Sequence, residues 1–227
     1  RDQHSYEELF CQGHFREQGG RQRWQTAGAS RLDELRRLTR PLVLHRRKQQ
    51  VLDLPPKRRT GEGLALDGEE PRGLGYSLRR VVADYRQRVA QGLVRSDAES
   101  LAVLTALRQI AAEFKLPAAQ QLIQRLRQQN KPIVLFSSFV DPLMLLHERL
   151  GGVLLTGRQK PDQRQSAVDR FQAGECDLLL ATFAAGGLGF TLHRAQHVVL
   201  LERPWTPGDI EQAEDRCHRI GMEGGLI

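Results

Sequence analysis

Nothing in this 227-residue sequence is long and apolar enough to cross a membrane. Its longest apolar runs, such as Val198 to Leu201 and Leu178 to Ala181, are short, whereas a spanning helix needs about 20 residues. No charged-then-apolar segment opens the chain, so nothing argues for export. Cysteine is scarce: Cys11, Cys176 and Cys217 are widely spaced, and no C-x-x-C pair exists. That excludes a disulfide framework and a zinc ribbon, and no metal cluster is expected. Each cysteine reads as a small buried hydrophobe in a reducing, intracellular setting. Internal repeats and low-complexity tails are missing too, as are a G-x-x-x-x-G-K-[ST] phosphate loop and an acidic D-E-x-H motif. The chain opens at Arg1 without a methionine, which reads as a piece cut from something longer.

Lysine is rare where arginine is abundant. Of the 34 basic residues 29 are arginine, whose planar fork suits bidentate phosphate contacts. The excess charge is uneven. Residues 1–59 hold 14 Lys+Arg against 7 Asp+Glu, whereas residues 60–227 hold 20 of each. A basic first quarter points to a polyanionic partner.

The rhythm of the chain changes near Ala112. Before it the pattern is helical and irregular. Leu78 to Val89 and Ser100 to Phe114 space their apolar residues as amphipathic helices, and the stretch from Pro55 to Gly75 reads as a turn, a short strand and a loop. After it, strand and helix alternate. Pro132 to Phe136, Val153 to Leu155, Asp177 to Ala181 and Val198 to Leu201 read as buried strands, with helices at Asp141 to Leu150, Pro161 to Phe171 and from Pro207 onward. Such alternation implies an α/β fold, a parallel sheet flanked by helices. Its ligands bind at the carboxyl ends of the strands.

Two local patterns carry chemistry. Glycines Gly186, Gly187 and Gly189 follow a buried strand, where a bare backbone can approach a ligand. Some thirty residues on comes Q-A-E-D-R-C-H-R-I-G, Gln212 to Gly221. At helical spacing Gln212, Arg216 and Arg219 share one face and Ala213, Cys217 and Ile220 the opposite one, a geometry suited to gripping a phosphate from two sides.

Together, Thr182-x-x-A-G-G-L-G, Trp205-x-P-G and Gln212 to Gly221 resemble the last motifs of the Swi/Snf-type ATPases, DNA translocases of the second helicase superfamily. The likeness covers nearly the whole chain. Arg36 to Lys57 resembles the family signature between its two lobes, R-R-x-K-x-x-V followed by L-P-P-K. Lys131 to Phe139 resembles the strand motif opening the second lobe, and Leu155 to Arg158, with Arg164 and Phe171, the motif after it. Phe190-Thr191 and the run from Trp24 to Leu35 resemble the annealing-helicase (HARP-like) branch, whose biology is DNA repair.

The resemblance implies a RecA-like C-terminal lobe at 116–227, truncated at its C-terminal end, preceded by a mainly helical inter-lobe segment at 1–115. It implies arginine fingers at Arg216 and Arg219, and nucleotide-cleft positions at Gly187, Gly189 and Gln212. DNA contacts are implied at Ser137, Thr156, Gly157, Thr182 and Trp205. ATP and Mg²⁺ would be bound mainly by an N-terminal RecA-like lobe preceding Arg1, and the partner would be double-stranded or branched DNA. Met222 stands where the family usually has glutamine. The lobe would be inactive as an ATPase alone and would sit with DNA inside the cell, in a bacterial nucleoid or a eukaryotic nucleus. The alternative is a degenerate lobe that only tethers DNA or protein. An RNA helicase is disfavoured by L-P-P-K and W-x-P-G.

Overall fold

The computed structural model describes residues 2–44, 46–63, 74–93, 97–186 and 189–226, and the chain divides into two compact units, Arg1–Leu52 and Asp53–Ile227. Among the described residues no helix is long and apolar enough to cross a membrane.

The first unit contains α1 (Gln3–Phe10), the strands β1 (His14–Gln18) and β2 (Arg21–Gln25), and helices α2 (Leu32–Thr39) and α3 (Lys48–Val51). Asp2 caps α1 by accepting from the Ser5 N–H at 2.9 Å, satisfying one of the orphan donors of the first turn. The antiparallel β1–β2 hairpin is not foreseen by the helical reading of this region. Gln18 pairs with Arg21, leaving a two-residue turn, Gly19-Gly20, with φ +61° and +73°. Two positive φ values in succession define the turn type whose twist matches a hairpin, and they demand glycine.

The second unit begins with an extended strip at 53–63 and the helices α4 (Leu74–Ala90) and α5 (Asp97–Phe114). These two pack together through Tyr85–Ser100 and Arg88–Glu99 contacts of 2.9 and 2.8 Å. The short strand expected between Pro55 and Gly75 is, over 55–63, a single parallel bridge at Lys57; residues 64–73 lie outside the described residues. Then come α6 (Leu116–Arg127), β3 (Ile133–Ser137), α7 (Val140–Leu150), β4 (Val153–Leu155), α8 (Pro161–Gln172), β5 (Leu178–Thr182), the one-turn α9 (Phe183–Gly186), β6 (His197–Leu200) and α10 (Pro207–Cys217). The change of character expected near Ala112 falls within this unit, inside the last turn of α5.

The sheet is parallel throughout, in the order β4-β5-β3-β6. Because side chains alternate across a strand, Ile133 and Leu135 enter one apolar layer with Ile123, Leu143 and Leu146. Val134 and Phe136 enter the other with Val168, Phe171, Ala213 and Cys217. Every residue of β3 and β5 is buried, as the continuous apolar runs of a doubly covered sheet require. Gly152 makes this packing possible: its φ is +88°, and a Cβ there would lie 2.5 Å from the Leu178 carbonyl oxygen. Met222 belongs to this core at 8% exposure, so an apolar residue at that position serves packing.

Phe171 has no exposed surface and carries the Arg194 guanidinium 5.4 Å over its ring. Phe171→Ala should destabilise the chain by about 3–5 kcal/mol, read as a lowered midpoint in urea denaturation followed by circular dichroism.

Candidate functional site

All four strands run the same way, so their carboxyl ends form one edge of the sheet, and the expected DNA-contact positions gather there. Ser137 and Thr182 close β3 and β5 as register partners. Thr156 and Gly157 follow β4, and Glu202 follows β6. The hydroxyls face inward. Ser137 is fully buried, donates to the Glu202 carboxylate at 3.1 Å and accepts from the Phe139 N–H at 3.0 Å. Thr182, 5% exposed, accepts from the Ala185 N–H at 3.2 Å and so anchors α9. Thr156, 3% exposed, donates its N–H to the Gln159 side chain at 2.8 Å. Gly157 is open, with no atom within 4 Å of where a Cβ would sit.

Glu202 is missing from the sequence-level candidates. It is buried, and it also accepts the Ser138 N–H, so one carboxylate organises the turn leaving β3. Beside it stands Trp205, 55% exposed, with the Arg108 guanidinium 4.5 Å over its ring. Arg108 also reaches the Arg203 carbonyl and Ser138, which fixes the indole against the end of α5.

The glycine loop follows β5 and α9. Gly187 lies outside the described residues. Gly189 is exposed with φ +90°. The loop is tied to the arginine segment twice: the Leu192 N–H donates to the Arg216 carbonyl at 2.8 Å, and Arg219 donates to the Thr191 hydroxyl at 3.0 Å.

Here the helical-face reading needs correction. Gln212 and Arg216 lie four apart on α10, but the helix ends at Cys217 with His218 as its C-cap. Arg219 lies in the following turn, which Gly221 closes at φ +91°. Ile220 is 71% exposed instead of packing beside Ala213 and Cys217, which are 4% and 0% exposed. The helix stops because two pulls bend the chain: His218 Nε2 contacts the Pro55 carbonyl at 2.8 Å, and Arg219 turns toward Thr191. Burial pushes the Cys217 thiol far above its ordinary pKa, so it stays protonated and packs as a hydrophobe.

The sequence reading also gives no role to Glu214. This carboxylate is 5% exposed and accepts from Lys57 Nζ and twice from the Arg59 guanidinium, each at 2.7 Å. Around it, Leu226 pairs with the extended strip through the Pro56 carbonyl at 3.1 Å and the Arg58 N–H at 2.9 Å. The L-P-P-K strip, α10 and the 222–226 segment are thereby tied together. Burial alone would raise the Glu214 pKa, but the Arg59 and Lys57 hydrogen bonds and charges outweigh it and hold the carboxyl below its ordinary 4.5. The signal was present in sequence as an acid inside the Q-A-E-D-R run and three cations, Lys57 to Arg59, after L-P-P.

Residues 115–221 match the helicase conserved C-terminal domain. The DNA annealing helicase and endonuclease ZRANB3 of Mus musculus is 30% identical over 227 residues, 96% of this chain and 21% of that protein. The chain therefore spans about a fifth of the length of that relative. Among solved structures, the Sulfolobus solfataricus SWI2/SNF2 ATPase core domain aligns with a TM-score of 0.58 at 19% identity, over 86% of this chain and 45% of that one. The C-terminal part of the Fun30 ATPase domain aligns with a TM-score of 0.55 at 16% identity, over 77% and 84%. These likenesses are of fold.

Because the Glu214 carboxyl is held below its unfolded value, its contribution to stability is complete above about pH 4.5 and is lost as pH falls through the folded pKa. Glu214→Gln should cost about 2 kcal/mol at pH 7. It should also flatten the loss of stability between about pH 5 and pH 3.5 relative to the unaltered chain, as urea midpoints across that range would show.

Proposed function

We propose that this chain, whose residues 115–221 match the helicase conserved C-terminal domain on a RecA-like fold, belongs to the Swi/Snf-type helicases and is the second motor lobe of an ATP-driven translocase on duplex or branched DNA. The observation that carries the proposal is the double tether between the loop after Gly189 and the Arg216–Arg219 segment. Two guanidiniums on a braced segment suit charge that develops on a phosphate oxygen during transfer.

In this reading Arg216 and Arg219 are the arginine fingers. They act across the cleft on the γ-phosphate of ATP bound by an N-terminal lobe, with Gln212, Gly187 and Gly189 lining this side of the nucleotide. Among the described residues no group of three or more His, Cys, Asp and Glu side chains converges as metal ligands do. The donor set at this site is guanidinium, hydroxyl and backbone, which suits phosphate oxygens and not Mg²⁺. Mg²⁺, held elsewhere, supplies charge neutralisation on the phosphates. This chain supplies orientation and positive charge.

The DNA-facing role falls to the carboxyl edge of the sheet. Gly157 and Trp205 are exposed there and are proposed to touch the duplex, Gly157 by its backbone beside a phosphate and Trp205 by its ring. Ser137, Thr156 and Thr182 shape that surface from within, through the internal bonds their hydroxyls and backbone make. The lobe would work with DNA inside the cell.

Alone, the purified chain should hydrolyse no ATP, with or without DNA. In the whole protein, Arg219→Ala should lower DNA-stimulated ATP turnover by about 10³-fold or more while leaving DNA affinity within about threefold, measured by steady-state phosphate release and fluorescence anisotropy. Whole protein that binds DNA yet shows no stimulated turnover would instead be a tethering module.

A further inference from the structure

The β1–β2 hairpin has two unlike faces. In the observed register Arg16 pairs with Arg23 and His14 with Gln25, while Phe15 pairs with Trp24. Cross-strand partners share a face, and residues two apart on one strand do as well. One face therefore carries His14, Arg16, Arg21, Arg23 and Gln25, with no acid among them. The other carries Phe15, Glu17, Gln22 and Trp24.

The second face is the back of the ribbon. Trp24 donates its indole N–H to Glu7 of α1 at 2.6 Å and meets the rings of His4 and Phe15 edge-on, each at 5.0 Å. Gly13 sits so close that a Cβ would lie 2.4 Å from the Trp24 ring. With α1 bracing the back, the basic face is left to solvent: His14, Arg16, Arg21 and Arg23 are all exposed. Among the described residues no ion pair or hydrogen bond engages the side chain of Arg16, Arg21 or Arg23. Glu7 of α1 is occupied by Trp24, and Glu17 lies on the opposite face of the ribbon.

Like charges directly opposed on a hairpin are destabilising, so the Arg16–Arg23 pair costs the free chain stability and gains from a polyanion laid across it. A two-stranded ribbon also has the width that the major groove of B-DNA admits. Arg21 and Arg23 lie about 7 Å apart along their strand, about two base-pair steps of a duplex. An RNA duplex, whose major groove is deep and narrow, would not admit it.

We infer that the basic face of the β1–β2 hairpin is a binding site for the phosphate backbone of duplex DNA, separate from the sheet edge of the second unit. The inference rests on the proposed motor function only for duplex DNA as partner; the register and the unpaired arginines stand without it.

The test compares the 227-residue chain with its R16Q/R21Q/R23Q variant. A control, R80Q/R86Q/R149Q, removes the same charge from exposed arginines of the second unit. Binding to a fluorescent 20-base-pair duplex is followed by anisotropy as salt is varied. The ribbon variant should bind about tenfold or more weakly at low salt, and its slope of log affinity against log salt should fall by about 2.7, the value for three lost phosphate contacts. The control should change the slope by less than about 1. The ribbon variant's melting temperature should not fall, since the Arg16–Arg23 repulsion has been removed. R16K/R21K/R23K, which keeps the charge, should retain most of the slope. The single variants R16Q, R21Q and R23Q, each expected to lower the slope by about 0.9, decide the matter if the triple glutamine variant fails to fold. Equal binding by the ribbon variant and the unaltered chain overturns the inference and leaves the motor reading standing. No DNA binding by the unaltered chain overturns both. Tighter ribbon-dependent binding to an RNA duplex than to DNA of the same sequence overturns the assignment to DNA.

Discussion

A carboxylate that is 5% exposed stays charged only if cations reach it, and Glu214 has Lys57 and Arg59. The two cations come from a strip more than 150 residues upstream, so the requirement of one buried charge closes the second unit on itself. The strip in turn holds the 222–226 segment by backbone pairing and receives His218 at the Pro55 carbonyl. The end of α10 is therefore set by partners outside the helix. Arg216 and Arg219 inherit their positions from that arrangement, and the loop at Leu192 inherits its own from Arg216.

The sheet imposes a second constraint. Strands buried on both faces have no room for polar side chains along their length, so the hydroxyls and the Glu202 carboxylate appear where the strands end. Parallel direction puts all these ends on one edge. The polar groups there satisfy one another first, as buried groups must. What remains outward includes Gly157, the Trp205 indole and the exposed side chains of Ser138, Arg158 and Arg203.

Much of this was legible from sequence wherever burial dictated it. The runs at Pro132 to Phe136, Asp177 to Ala181 and Val198 to Leu201 could only be buried strands, and β3, β5 and β6 lie within a residue of them. The hairpin was not read, although Gly19-Gly20 is a known turn signal, because its strands are mostly exposed and lack an apolar alternation. The end of α10 was misplaced for a related reason. Helical spacing predicts a continuous face through Arg219, but tertiary contacts to Pro55 and Thr191 override it, and periodicity does not encode a partner 163 residues away. Glu214 and Glu202 were invisible as centres because a lone acid acquires meaning only from the cations or N–H groups folded against it.

The departure of Arg219 from the helix bears on how freely its side chain can change partner. Had it continued α10 it would stand as rigidly as the helix. In the turn, its guanidinium is held by one neutral hydroxyl, Thr191. A hydrogen bond from a charged donor to a neutral acceptor is worth about 1.5–3 kcal/mol at most, and a phosphate offers more to a planar fork. A carboxylate in place of Thr191 would bind the arginine more strongly and compete with any incoming anion. A hydroxyl orients it without that competition: Thr191 holds Arg219 near the glycine loop and can yield it to a stronger acceptor.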